Sequence, residues 1–472
     1  MKIYCYIVFF IAVLSGAGLA QKLSVPTVFT DHAVLQRGMP VPVWGRAEPG
    51  AQISVEFAGQ KKTTAASDGG KWRVTLDPMP ASAKPQTMTI HSSLDTRPLS
   101  LSDVLIGEVW LCSGQSNMEM PMQGWPKWLL KDSDSEIAAA DHPLIRLYKT
   151  PMFFSRMPTG KINAQWNVCS PDTVKTFSAC AYYFGLKLHQ DLDVPIGLLQ
   201  SAWGGTRIEP WTPACGFDGI DSLADIRRQI HPMPELGADP QKDRQFPTAL
   251  YNGMLAANVP FTIRGAIWYQ GESNHNEGML YVDKTRALLN GWHKMWGTDF
   301  PFYFVQLAPF QYGDPFLPEF WEAQSEIVKQ ISGTGMAVIN DAAVPNNIHP
   351  SDKKTPGTRL ALLAEANTYG MDVVSRGPVF KNMEIKDNTL VVAFDSAEGL
   401  TTRDGTAPNW FEIAGKDKVF RPARADIEGD CVILSSPSVP EPVMMRFAWN
   451  NRAMPNLING AGLPASAFRA EK

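Results

Sequence analysis

Apolar and polar residues alternate along the first part of the chain, from about Ser24 to Asp103. The alternation is clearest in two runs, which are Ile53, Val55 and Phe57, and then Trp72, Val74 and Leu76. Segments rich in Gly, Pro and Asp separate these runs. A period of two with such turns is typical of short antiparallel strands that bury one face. The pattern predicts an N-terminal β-sandwich domain over residues 21–103.

Continuous apolar runs replace the alternation from Val104 onward. There are six of them, at residues 106–112, 145–148, 194–199, 265–269, 302–307 and 336–339. Segments with helical spacing lie between them, including one that contains Phe177, Ala181, Phe184 and Leu188. Strands that are apolar throughout are typical of a parallel sheet with helices on both faces. Residues 104–370 are therefore predicted to form an α/β core.

Alternation returns after Gly377, for example in Leu390, Val392 and Phe394. This predicts a C-terminal β-rich domain over residues 371–472. The chain shows no internal repeat of the kind that marks solenoids or propellers.

The first twenty residues have the composition of a secretory signal peptide. Lys2 precedes an apolar run over residues 3–14, and small residues lead to Ala20. The run is shorter than the ~20 residues that a membrane-spanning helix needs. We expect cleavage after Ala20, a secreted or periplasmic protein, and no membrane association after cleavage.

Cysteine content and charge exclude several classes of protein. Of six cysteines, Cys5 lies in the predicted signal peptide. The five that follow are sparse, which does not fit a disulfide framework or a zinc site; Cys169 and Cys180 could form one bridge, although a role as small buried residues is favoured. The 43 basic and 47 acidic residues nearly balance, so a nucleic-acid partner is not expected.

Polar motifs follow three of the predicted core strands. Ser116 lies in the turn Gly-Gln-Ser-Asn-Met over residues 114–118, and two further motifs cover residues 200–206 and 270–274. Ligands of open α/β sheets bind beyond the carboxyl ends of the strands, so we expect these three motifs to converge on one crevice. A helix after the turn would bring free amide groups near Ser116. The turn lacks the second Gly of the α/β-hydrolase nucleophile elbow, which disfavours that fold.

A serine nucleophile needs a base that accepts its proton. Of the eight histidines, His349 is distinguished by its position in the loop after the last predicted core strand. That loop lies at the same sheet edge as Ser116, so His349 is the candidate base.

The three motifs, together with Ile-His-Pro at residues 348–350, resemble the ordered blocks of the sialate O-acetylesterase group of carbohydrate esterases, a branch of the SGNH hydrolases. Segments at residues 35–37, 43–45, 455–457 and 462–464 also resemble the flanking regions of that group. The resemblance implies an SGNH-type, flavodoxin-like core with a three-layer parallel sheet, flanked by the two β-rich domains.

The resemblance also implies roles for individual residues. Ser116 would be the nucleophile and His349 the base. The N–H groups of Ser116 and Gly204 would bind the oxyanion, with Gly205 as an alternative if the turn is shifted by one residue. The side-chain amide of Gln270 would be a third donor, in place of the SGNH asparagine. Neither a metal nor an organic cofactor is implied.

The third member of the triad departs from the SGNH pattern. Those enzymes commonly carry Asp three residues before the His, whereas this chain has Asn346 there and Asn347 next to it. We favour a Ser–His dyad in which a backbone carbonyl holds the imidazole. Asp341 is the second choice as the residue that orients the ring.

The expected function is that of an exported esterase that removes O-acetyl groups from sialic acids. Acetylated xylan or another acetylated glycan is the alternative substrate. A non-catalytic glycan-binding protein is a different class of function, since 14 Trp and two β-rich domains would suit sugar stacking. A glycosidase that uses Glu119 or Glu272 is a further alternative.

Overall fold

The computed structural model describes residues 22–230 and 243–472. It has a mixed α/β architecture with a large central sheet and additional small β-sheets. The predicted signal peptide over residues 1–20, with its cleavage point after Ala20, lies outside the described residues, as does His231. Across the described ranges, no helix has the length and apolar character to cross a membrane.

Six strands form the N-terminal β region: β1 (Val34–Gln36), β2 (Val41–Arg46), β3 (Gln52–Phe57), β4 (Gln60–Ala65), β5 (Lys71–Leu76) and β6 (Ser82–Ser92). Strand β3 pairs antiparallel with β4 and β6, and β2 pairs antiparallel with β5. In β5 the alternate residues Trp72, Val74 and Leu76 are buried. These residues are the ones whose period of two predicted a half-buried strand.

Seven strands form the core of the central sheet: β7 (Leu99–Gly114), β8 (His142–Lys149), β9 (Trp166–Cys169), β10 (Ile196–Ala202), β11 (Gly265–Tyr269), β12 (Phe302–Val305) and β13 (Thr334–Ala337). Their order is β13-β12-β11-β7-β10-β8-β9. All neighbouring pairs are parallel except β8 with β9. Each predicted apolar run overlaps one of these strands, and the antiparallel edge strand β9 is the one that the pattern did not predict.

Strand β7 joins the N-terminal strands to the core. Its first half pairs with β6 and β1, and its second half pairs with β10 and β11, so that β1, β3, β4 and β6 belong to the same 11-stranded sheet. At Asp103 the backbone of β7 has a positive φ of 53°. The Asp103 carboxylate accepts hydrogen bonds from His32 at 2.6 Å and from Arg146. The predicted boundary between residues 103 and 104 therefore falls within a continuous strand.

The described helices include eight α-helical segments: Ser116–Glu119, Ser133–Ala138, Pro171–Val174, Ala179–Leu192, Ala224–Ile230, Leu280–Trp296, Leu317–Gln330 and Lys354–Asn367. Short 3-10 helices cover Glu209–Trp211, Ala214–Phe217, Asp221–Leu223 and Ala256–Asn258, and a π-helical turn covers Tyr251–Leu255.

The two faces of the core sheet pack into two different apolar clusters. In β11, Ala266 and Trp268 belong to the cluster that includes the helices Leu280–Trp296 and Leu317–Gln330. Ile267 belongs to the other cluster, with the helices Ala179–Leu192 and Lys354–Asn367. Since successive side chains of a strand point to opposite faces, helices cover both faces of the sheet. This explains why the core strands are apolar throughout.

Ten further strands form the C-terminal β region: β14 (Val379–Lys386), β15 (Thr389–Asp395), β16 (Thr401–Thr402), β17 (Phe411–Ala414), β18 (Arg421–Pro422), β19 (Arg424–Glu428), β20 (Cys431–Ser435), β21 (Met444–Phe447), β22 (Leu457–Ile458) and β23 (Phe468–Glu471). They form two four-stranded sheets and one two-stranded sheet, and every pair is antiparallel. The segment before β23 contacts the core, where Asn340 donates to the Ala465 carbonyl at 2.8 Å.

The five cysteines that lie in the described residues are all free. Cys112, Cys169 and Cys180 are buried, and no bridge joins Cys169 to Cys180. These three side chains act as small apolar residues in the cluster beneath the sheet.

Candidate active site

The three polar motifs meet at one edge of the sheet. Strand β7 lies between β10 and β11, and its last residue, Gly114, pairs with Ala202 of β10 and with Tyr269 of β11. All three strands run parallel and end at the same level. The motifs that follow them therefore converge, as the order of strands and motifs in the sequence predicted.

Gly114 allows the chain to turn sharply at the end of β7. Its φ is 142°, and a Cβ at this position would lie 2.2 Å from the Tyr269 carbonyl oxygen. Both the backbone angle and the close approach require glycine. Ser116 follows at the start of the helix Ser116–Glu119, which has only four residues. The turn thus brings a half-buried serine to the edge of the sheet.

Gly204 lies directly against Ser116. A Cβ built on Gly204 would be 3.2 Å from the Ser116 Cβ. The corresponding position on Gly205 is closest to an Arg244 nitrogen, at 3.6 Å, so the neighbour of Ser116 is Gly204. The N–H of Gly204 donates to Oε2 of Glu119 at 2.6 Å. The amide that the sequence assigns to an oxyanion is therefore bound to a carboxylate of the same chain.

Glu119 is largely buried where it binds Gly204. Burial raises the pKa of its carboxyl, and the Gly204 hydrogen bond and the charges of Lys149 and Arg244 oppose that rise. The ionised form of this carboxyl is therefore less favoured than that of an exposed glutamate.

His349 lies in the loop after β13, between two tryptophans. Its ring is edge-to-face with Trp128 at 4.6 Å and with Trp125 at 5.4 Å between centroids. Burial, together with the positive charge of Lys353, lowers its pKa to about 4. The imidazole is therefore neutral at pH 7, which is the form that can accept a proton.

The His349 ring has no orienting partner in the described part of the chain. Nδ1 is buried and makes no hydrogen bond, and no hydrogen bond joins the ring to Ser116. The structure therefore shows no backbone carbonyl bound at Nδ1, where one could hold the ring as the dyad hypothesis expects. Asn347 contacts the backbone instead, since its Oδ1 accepts from the His349 N–H at 2.9 Å.

Asp341 does not orient the imidazole. Its two carboxylate oxygens bind the Arg359 guanidinium, at 2.6 Å and 2.7 Å. A bidentate pair of this kind uses the geometry that both groups prefer. The second choice for a triad acid is therefore wrong, because Asp341 is engaged in an ion pair with the helix Lys354–Asn367.

Gln270 does not present its amide to an oxyanion. The Nε2 group donates to the Thr206 carbonyl at 3.1 Å and to Asn274 Oδ1 at 2.7 Å, which uses both of its hydrogens. Its Oε1 accepts from the Tyr281 hydroxyl at 2.7 Å. The prediction of a third oxyanion donor at Gln270 is wrong, because this buried amide holds together the loops that follow β10 and β11.

Three buried polar residues lie behind Ser116, and only Glu272 had a candidate role from the sequence, as a glycosidase carboxylate. Asn117 donates through Nδ2 to Glu272 and, at 3.0 Å, to the Ile348 carbonyl. Lys353 donates to Asn117 Oδ1 at 2.6 Å. Asn117 and Glu272 lie within the polar motifs at residues 114–118 and 270–274, so their positions in the sequence could have marked them as site residues. Nothing in the local sequence marks Lys353.

Glu272 is buried beneath Asn117, which bears on the glycosidase alternative. Burial raises the pKa of its carboxyl, and its Oε2 makes no hydrogen bond with the described residues. A glycosidase needs two carboxyl groups that flank the scissile bond. Glu272 is only 8% exposed and accepts from Asn117, while Glu119 accepts from the Gly204 N–H, so the structure gives the glycosidase alternative no support. Within residues 22–230 and 243–472, no group of three or more His, Cys, Asp or Glu is arranged to hold a metal ion.

Comparison with known proteins identifies similar chains. Residues 106–351 match the model of the family described as carbohydrate esterase, sialic acid-specific acetylesterase. The sialate O-acetylesterase of Rattus norvegicus is 28% identical over 462 residues, which cover 84% of this chain and 83% of the relative. The Homo sapiens sialate O-acetylesterase is 29% identical over 389 residues, which cover 73% and 70%.

One solved structure is similar over almost the whole chain. The crystal structure of a carbohydrate acetylesterase from Xanthomonas citri superimposes with a TM-score of 0.85 at 36% sequence identity, covering 95% of this chain and 99% of that one. The segment matched by the family model contains Ser116, Gly204 and His349.

Proposed function

Because this chain belongs to the sialic acid-specific acetylesterase family of carbohydrate esterases and is therefore an ester hydrolase, we propose that it removes O-acetyl groups from sialic acids through an acyl-enzyme on Ser116. The observation that carries this proposal is the contact of Ser116 with Gly204 at the end of the parallel strands. A nucleophile beside a backbone N–H is the arrangement that acyl transfer requires.

The reaction begins with attack of Ser116 Oγ on the acetyl carbonyl carbon. His349 accepts the hydroxyl proton and returns it to the departing sugar oxygen, which leaves an acetyl ester on Ser116. Water then attacks this ester, His349 accepts its proton, and acetate leaves as Ser116 recovers its proton. The neutral state of His349 supports its role as the base at both stages.

Two backbone donors stabilise the tetrahedral intermediates. They are the N–H groups of Ser116 and Gly204, and the second becomes available when the Glu119 carboxylate moves aside. Each donor of this kind contributes about 2.7–4 kcal/mol to transition-state stabilisation. Gln270 has no part in this hole, since its amide is fully used elsewhere.

Acetylated xylan or another acetylated glycan remains the alternative substrate. The similar structure from Xanthomonas citri is that of a carbohydrate acetylesterase, a class that includes this alternative. Trp128 is 36% exposed beside His349 and offers an aromatic face to any sugar ring.

Acetate release from purified protein tests the activity and its substrate together. The panel is an aryl acetate, an O-acetylated sialic acid and an acetylated xylo-oligosaccharide, each with the parent and with Ser116→Ala. We expect the parent to prefer the sialic acid and the variant to be inactive on all three. Turnover of the aryl acetate by Ser116→Ala within tenfold of the parent would overturn the serine mechanism. Preference for the xylo-oligosaccharide would overturn the sialate assignment alone.

The core up to residue 370 is proposed to be an SGNH-type, flavodoxin-like three-layer domain, which shares strand β7 with the N-terminal β region and is followed by a β-rich domain at residues 371–472. Coverage of both faces of the sheet by helices supports this proposal. Limited proteolysis with N-terminal sequencing tests it, since cleavage should occur near residue 370 before it occurs inside the core. A first cut within a core strand would contradict these boundaries.

The protein is further proposed to be exported and cleaved after Ala20. The apolar run over residues 3–14 and the small residues before Ala20 support this. Sequencing the N-terminus of the protein recovered from the exported fraction should give Gln21 as the first residue. An intact Met1 in a cytoplasmic fraction would contradict the proposal.

A further inference from the structure

Lys353 is a fully buried lysine beside the proposed catalytic groups. It is 1% exposed and directly precedes the helix Lys354–Asn367. Burial lowers its pKa to about 8, although Cys180, Glu272 and Asp352 face it and oppose that change. The positive end of a helix dipole also disfavours a cation at this position. A buried ammonium group in such surroundings is unfavourable unless its contacts are specific.

Those contacts connect the nucleophile turn to the loop that carries the base. The Lys353 Nζ donates to Asn117 Oδ1 at 2.6 Å and to the Pro350 carbonyl at 2.8 Å. Asn117 follows Ser116 in the chain, and Pro350 follows His349. One ammonium group therefore binds the residue next to each catalytic side chain.

Asn117 also binds the residue that precedes His349. Its Nδ2 donates to the Ile348 carbonyl at 3.0 Å. The residues before and after His349 are thus both held to the Ser116 turn, whereas the buried Nδ1 atom of the imidazole makes no hydrogen bond. The position of the ring is set by its backbone and by Trp125 and Trp128.

We propose that Lys353 is a positioning residue for this esterase, whose ammonium group fixes the His349 loop against the Ser116 turn and places a positive charge beside the imidazole. This inference rests on the proposed serine mechanism. Two tryptophans bury the imidazole, and burial is the larger cause of the lowered pKa of His349; the positive charge of Lys353 adds to it.

The test is Lys353→Met, with Lys354→Met as the matched control. Methionine keeps the length and apolar stem of lysine but removes the charge and the donors. Lys354 is the next residue, and its Nζ contacts Glu136 at the exposed surface. The measurements are kcat and KM for an aryl acetate as functions of pH, and the thermal unfolding midpoint.

We expect Lys353→Met to lower kcat by about 10- to 100-fold with little change in KM, because the reacting groups lose their alignment. The acid limb of kcat/KM should move upward by at least about half a pH unit, since a neighbouring positive charge is removed. Lys353→Arg, which keeps the charge, should leave the acid limb where it is in the parent even if kcat falls. Lys354→Met should match the parent in every measurement.

An acid limb that stays in place in a folded Lys353→Met protein would overturn the proposal. Failure of both Lys353→Met and Lys353→Gln to fold would also overturn it, because the role of Lys353 would then be structural. Failure of the proposed serine mechanism can be distinguished from failure of this inference. It would appear as turnover of the aryl acetate by Ser116→Ala, whatever the behaviour of Lys353→Met.

Discussion

The backbone N–H of Gly204 donates a 2.6 Å hydrogen bond to the Glu119 carboxylate, and Ser116 lies against the same glycine. In the proposed reaction this N–H binds the negatively charged oxygen of the tetrahedral intermediate. The Glu119 carboxylate therefore competes with the intermediate for the donor and carries the same sign of charge.

Glu119→Gln should raise kcat/KM by up to about tenfold near neutral pH, because a like charge is removed from beside the oxyanion. The increase should shrink as the pH falls, since protonation of Glu119 in the parent produces the same neutral state. Steady-state rates of the two proteins across the pH range measure this. A loss of tenfold or more at every pH would instead mean that the carboxylate assists the reaction.

The pH profile of the parent protein should have an unusually low acid limb. His349 must be neutral to accept the serine proton, and its pKa is lowered to about 4. Activity should therefore persist through the range where an ordinary histidine becomes protonated and should fall only as the pH drops through about 4. Measurement of kcat/KM with an aryl acetate, after a stability check at each pH, tests this. An acid limb near the ordinary histidine pKa of about 6.5 would contradict it.

Asp341→Asn should reduce stability and leave catalysis nearly intact. The variant weakens the ion pair with Arg359, whose members are only 16% and 12% exposed, and the expected cost is about 1–3 kcal/mol of unfolding free energy. Asp417→Asn breaks an exposed pair with Arg421 and serves as the control, with an expected cost below about 1 kcal/mol. Denaturant unfolding and kcat are the measurements. A loss of about 10⁴-fold in kcat would restore Asp341 as a triad acid.

Gln270→Ala should also act on stability more than on turnover. It removes the partners of Thr206, Asn274 and Tyr281 in a buried site, at a cost of about 1–3 kcal/mol. The remaining folded protein should keep kcat within about tenfold of the parent. A fall of about 10²–10³-fold in kcat with unchanged unfolding would show instead that Gln270 is an oxyanion donor.

The arrangement of the core was predictable because it depends on local pattern. Unbroken apolar runs identified six strands, and the parallel register then brought Gly114, Ala202 and Tyr269 to the same level. The continuity of β7 across residue 103 was not predictable. In the sequence, a strand whose burial changes from alternating to continuous shows the same change of apolar pattern as a boundary between two domains.

The errors at the site have a common physical cause. Asp341 precedes His349 by eight residues, but its partner Arg359 lies 18 residues away in the sequence, in the helix Lys354–Asn367. The Gln270 amide is bound by Thr206, which is 64 residues away in the sequence. Long-range hydrogen bonds decide where a polar side chain points, and they leave no periodic signal in the sequence. The role of Lys353 was missed for the same reason.

Trapping the acetyl-enzyme tests most directly whether acyl transfer proceeds through Ser116. Parent protein is mixed rapidly with an isotopically labelled acetyl ester, quenched in acid during the first turnover and digested for mass spectrometry. The labelled acetyl group should lie on the peptide that contains Ser116, and it should accumulate further in His349→Ala supplied with a highly activated ester. Acyl transfer through Ser116 would be contradicted by release of labelled acetate with no acetylated peptide at any quench time. An acetyl group on a different residue would contradict it as well.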